Sequence, residues 1–161
     1  MDENKFQKFL AKIKQLQATG GYDLSLEEDL SIAVMNLISL EEHFFFTSQK
    51  TGKSEYLDLL QQTREVRKQL LAKMIPVNEG ETWCISKHLL AATMRLIEVG
   101  TKYQTDGKKT EASTAFTQAY KIYSLFWAVR LKLVNLKGVK KIDKAMTIED
   151  LTTQLIDCCK E

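Results

Sequence analysis

The sequence predicts an all-α fold: an up-down-up-down four-helix bundle of two hairpins, with one extra helix at each end. Three observations carry this. The 161 residues contain one proline and seven glycines, which fall mostly outside the periodic segments. Apolar residues recur at helical spacing, and no stretch between turn signals alternates as a strand would. Gly52-Lys53 and Gly107-Lys108 form matching turns 55 residues apart, as two equivalent hairpins require.

Six helices are expected. The first spans roughly 3–18, with Phe6, Phe9, Leu10, Ile13 and Leu16 on one stripe, and ends at Gly20-Gly21. Ser25 with Glu28 three residues on is a capping-box pattern, so the second helix opens there and runs to about Lys50. The third covers roughly 54–75 and stops before Pro76, which lacks the N–H a helix interior needs. The fourth runs from about Glu81 to Thr105, and the fifth from about 109 to 136, with Gly138 just past it. A last helix covers 147–160, with Ile148, Leu151 and Leu155 on its apolar side. Short connections make sequential helices antiparallel neighbours, so residues 25–136 form the core bundle. The whole chain, 1–161, reads as a single domain, long enough to bury a core without disulfides or metals.

Composition narrows the function classes. At 44% hydrophobic and 27% charged residues the chain is globular rather than disordered. A net charge of +2 gives no strong nucleic-acid signal. The most apolar stretch, Ile122 to Leu136, is interrupted by Arg130 and Lys132 and is too short to cross a bilayer. Met1-Asp2-Glu3-Asn4 does not read as an export signal. Three cysteines cannot all pair, and Cys158 and Cys159 are adjacent. Together these predict a cytoplasmic chain with free thiols and no membrane segment.

Gly100, Tyr103, Ala112, Phe116 and Ala119 follow the small and aromatic spacing of a tetratricopeptide hairpin, and residues 96–124 resemble that family. The resemblance implies two antiparallel helices in close approach at their small residues. Ser124 stands where the family often carries proline, and the first hairpin shares only the glycine. Glu41-Glu42-His43-Phe44-Phe45-Phe46 and Trp83-Cys84-Ile85-Ser86-Lys87-His88-Leu89-Leu90 are similar to an uncharacterised family of small all-helical proteins of archaea and candidate-phylum bacteria. That resemblance spans residues 25–136 and implies no mechanism.

Two clusters bear on chemistry. Cys84 and His88 are one helical turn apart, a spacing that suits a metal pair or an imidazole-activated thiol. The run Glu81-Thr82-Trp83-Cys84-Ile85-Ser86-Lys87-His88 is similar to the helical motif of the AhpD peroxidase-reductase family. Glu81 replaces that motif's first cysteine, which removes the dithiol cycle. The alternative is a buried thiol and a hydrogen-bonded imidazole with no catalytic part. A ferritin-like di-metal site is excluded, because no glutamate is followed by histidine three residues on. A metal shared by His43 and His88 is not expected. Counted from the hairpin turns, flush packing sets them roughly 15 Å apart along the bundle.

The same count gathers a polar layer at mid-bundle. Glu41 lies eleven residues before its turn, Arg64 twelve after it, Arg95 twelve before the second turn and Tyr120 thirteen after it. His43 and Glu98 lie nine before their turns, and Arg67 is one turn beyond Arg64. Glu41 interrupts the stripe Leu30, Val34, Leu37, Phe44, and Arg67 the stripe Leu60, Thr63, Leu70, Met74. Charges facing a core must pair. The layer is either a salt-bridge network that fixes register or a pocket whose three arginines hold a small anionic ligand. In the first paired hairpin, Phe44, Phe45 and Phe46 cannot all face one core, so an exposed apolar patch is expected there.

The sequence thus favours a non-enzymatic helical binding or interaction module without a cofactor, its partner a protein or a small anion. The candidate ligand-binding residues are Glu41, His43, Arg64, Arg67, Arg95, Glu98 and Tyr120. The alternative is a thiol- or metal-dependent enzyme using Cys84 and His88, with Glu81. The basic run Arg130, Lys132, Lys137, Lys140, Lys141 and Lys144 reads as a solvated tail, or as a weak anionic-surface site.

Overall fold

A computed structural model describes residues 24–76 and 81–132. They form four α-helices: α1 (Ser25–Thr51), α2 (Glu55–Met74), α3 (Glu81–Thr105) and α4 (Lys109–Arg130). No strand occurs among the described residues. The expected helices over 3–18 and 147–160 lie outside them.

Each boundary has a local cause. Gly52 and Gly107 both take left-handed backbone, with φ of 68° and 75°, a conformation that costs a residue with a Cβ. Gly52 N–H bonds the Ser48 carbonyl, closing α1 as a glycine C-cap does. Ile75, at φ −121° and ψ 120°, is extended as the residue before proline must be, so α2 stops at Met74. Two details differ from expectation. Leu24, not Ser25, is the N-cap of α1, and it makes no side-chain cap bond. Instead Glu28 N–H reaches the Leu24 carbonyl at 2.8 Å, so Ser25 already belongs to the first turn. The last described helix ends at Arg130 rather than near 136, because Lys132 turns to φ 55°.

α1 packs on α2 and α3 on α4, giving the two hairpins, and α1 lies against α3 across them. α3 and α4 approach closely through Gly100 and the buried Ala112, Ala115 and Ala119. An added Cβ at Gly100 would stand 2.5 Å from the Phe116 ring, so the ring occupies the space that a side chain would need.

The core lies at one end. Its buried members are Val34 and Met35 of α1, Leu71 and Met74 of α2 with Ile75, Trp83, Cys84 and Leu90 of α3, and Phe126 of α4. All lie in the halves of their helices remote from the Gly52 and Gly107 turns. Tyr123 and Trp127 pack against this cluster. In the turn-proximal halves the buried positions are mostly the small residues of the α3–α4 contact, plus Ser48. Among the described residues, the hairpins therefore share their buried hydrophobic core at the open ends.

The Gly100 seat generates a test. Gly→Ala inside a helix gains about 1 kcal/mol of propensity, but here it must displace the Phe116 ring. Gly100→Ala should therefore be distinctly more favourable in a Phe116→Ala background than in the wild type, by about 1 kcal/mol in a urea-denaturation cycle. Equal effects in both backgrounds would mean that the ring does not rest on Gly100.

Candidate functional site

The mid-bundle polar layer divides into an inner and an outer part. Arg67 is 1% exposed and Glu41 14%. Arg67 Nε donates to Glu41 Oε1 at 2.8 Å and Nη2 to Oε2 at 3.4 Å, a two-pronged pairing between α2 and α1. This arrangement suits the planar guanidinium and satisfies a charge that would be costly alone. Arg64, one turn away and half-buried, is also engaged.

Arg95 does not join them. Its guanidinium pairs with Glu42 of α1 on the outside of the α1–α3 contact, with both side chains about half exposed. His43 is exposed, and its ring meets the edge of Phe44. Glu98 is half-buried on α3. Tyr120 is 74% exposed on α4. The expectation that Arg95 and Tyr120 face the core is therefore corrected. Counting from the turns gives height along the bundle but not rotation about each helix axis. On α3 the inward turn is taken by Cys84, Leu90 and Thr93, which sends His88 and Arg95, seven residues apart, to solvent.

Cys84 and His88 separate in the same way. The thiol is 1% exposed within the core cluster, while His88 and Glu81 are exposed. Among the described residues no three His, Cys, Asp or Glu side chains gather where a metal ion could be held. Cys158 and Cys159 lie outside the described residues, as do Lys137, Lys140, Lys141 and Lys144 of the basic run. Arg130, the first of that run, pairs with Glu27 of α1 at 2.7 Å, so its charge serves the α1–α4 contact.

Sequence reasoning missed that contact. Ser31 Oγ donates to the Glu28 carbonyl at 2.7 Å. Its single proton is thereby used, so the 2.7 Å bond between Ser31 and Tyr123 has the tyrosine hydroxyl as donor. With Arg130–Glu27 it ties the start of α1 to the end of α4. Ser31 and Tyr123 are 92 residues apart, and nothing in either local stretch signals their pairing.

Leu26, Ile32, Val66 and Leu125 are exposed toward the open ends, and Leu40, Phe45, Phe46, Leu57, Leu59, Ile97, Phe116 and Tyr120 toward the turns, where the exposed aromatics lie. Phe44 turns half inward to Tyr56, at 6.4 Å between ring centroids, while Phe45 and Phe46 are 46% and 56% exposed. The patch expected from three consecutive aromatics is thus present. On the other hairpin, Gln104, Lys109, Ser113, Phe116, Thr117 and Tyr120 line a shallow pocket of about 450 Å³. No described helix is long and apolar enough to cross a membrane. Against this geometry, no family model, no curated protein and no solved structure matches the chain.

The two arginines should behave oppositely. Arg67→Ala leaves Glu41 short of its partner in a nearly closed interior, at a cost of about 3–5 kcal/mol. Arg95→Ala loosens a solvent-screened pair worth about 0–1 kcal/mol. Thermal melts should therefore show a fall of several degrees or more for the first and little for the second. Equal shifts would contradict this division of the layer.

Proposed function

We propose that this chain is a helical interaction module that binds a partner protein through the turn-proximal halves of its hairpins, and that it is not an enzyme. The observation that carries this reading is the one-ended core. Helix faces that meet across the hairpins at the open ends continue toward the turns as exposed aromatic and aliphatic surface, notably Phe45, Phe46, Ile97, Phe116 and Tyr120. Exposed apolar surface gathered on one part of a molecule is characteristic of interaction sites.

The small-anion reading has less support. Arg67 is committed to Glu41 and Arg95 to Glu42, and Arg64 is engaged, so the layer offers little spare positive charge. The thiol or metal enzyme would need Cys84 to leave the core to meet His88 and Glu81. The tetratricopeptide-like hairpin agrees with a binding role, and the resemblance to uncharacterised helical proteins adds no chemistry.

A photo-crosslinking phenylalanine analogue placed at Phe46, Tyr120 or the exposed control Gln62 tests the proposal in cells that make the protein. Discrete adducts from Phe46 or Tyr120, but not from Gln62, are expected. No adducts, or the same smear from all three, would remove the reading.

A further inference from the structure

One face of α4 carries Lys109, Ser113, Phe116, Tyr120, Tyr123, Trp127 and Arg130, at successive spacings of four and three residues. That alternation is the 3.5-residue repeat of a helix-packing seam. Its C-terminal half is occupied. Tyr123 donates to Ser31 and Arg130 pairs with Glu27, both on α1, and the Tyr123 and Trp127 rings rest on the shared core. Its N-terminal half carries the same chemistry, with Phe116 resting against α3 at Gly100 and its outer side exposed. Phe116 is 38% exposed and Tyr120 74%. Lys109, the cation at this end of the seam, has no ion pair among the described residues and lines the pocket with both rings.

We infer that the open half of this seam is the docking surface for an amphipathic helix of a partner protein bearing an acidic side chain that pairs with Lys109. This rests on the interaction reading above and names its partner's chemistry. Two observations fix the occupant. The seam is continuous with an interface that already holds a helix, and that helix, α1, presents a carboxylate to the cation at its own end. The single charge in the pocket is positive, while Gln104, Ser113, Thr117 and Tyr120 supply neutral polar groups at its edge. The Phe116 ring lies in the notch at Gly100, so the platform is formed before a partner arrives.

The test uses the full chain and stapled model helices two heptads long, with one leucine face flanked by glutamates in one peptide and by lysines in the other. Fluorescence anisotropy at low salt should show the acidic helix binding better than the basic one. Lys109→Glu should weaken the acidic helix about tenfold or more and improve the basic one. Tyr120→Ala should weaken it about fivefold or more. Neither variant threatens the fold, because Tyr120 is largely exposed and a glutamate at a helix N-terminus is favourable. Equal binding of both peptides, or indifference to Lys109→Glu, overturns the acidic partner while crosslinks at Phe46 keep the interaction reading. No binding of either peptide also overturns the inference. A dimer in sedimentation that Tyr120→Ala dissolves would assign the seam to a second copy and overturn it. Stronger competition by a free peptide of residues 147–160 than by the acidic helix would assign it to this chain itself, with the same result.

Discussion

The pairing of Arg67 with Glu41 sets the register on which the first hairpin depends. A guanidinium that is almost wholly enclosed must face its carboxylate, since any slip of α2 along α1 would leave two charges short of partners in low dielectric. Seven residues before Glu41 is Val34, and seven after Arg67 is Met74. Two turns beyond the ion pair, the same alignment thus delivers both apolar side chains to the shared core. Leu71, one turn beyond Arg67, follows into the same cluster. A polar contact of this kind adds little net stability compared with apolar residues of similar size, and its value lies in excluding other alignments.

The second hairpin solves the same problem without charge. Gly100, Ala112, Ala115 and Ala119 bring α3 and α4 close, and Phe116 fills the gap left by the missing Cβ. The fit of the Phe116 ring against Gly100 sets its register by shape. This leaves the hairpin's charged groups free for its outer surface and its contact with α1, where Arg95 and Arg130 meet Glu42 and Glu27.

The helices and turns were legible in the sequence because their causes are local: the glycines at 52 and 107, the proline at 76 and the spacing of apolar residues. The inner ion pair was legible too, since Glu41 and Arg67 each interrupt an otherwise apolar stripe. Arg95 and Tyr120 were misplaced, because a count from the turns fixes height while rotation depends on which neighbours compete for the core. The start of α1 at Leu24 rather than at a Ser25 cap shows the same limit on a smaller scale, as one residue's shift decides which group receives a hydrogen bond. The ties of Ser31 to Tyr123 and Glu27 to Arg130 join distant segments whose local patterns are unremarkable helix.

The one-ended core also places both tryptophans of the chain together. Trp83 is buried within the cluster and Trp127 packs against it, stacked edge-on with Phe126 and Tyr123. Neither indole lies near a hairpin turn. Both indoles come from the second hairpin, so intrinsic emission from this protein reports on the shared core and is blind to the formation of the first hairpin alone. A chain whose helices had formed but whose halves had parted would keep its far-ultraviolet dichroism and lose the blue-shifted fluorescence of enclosed indole.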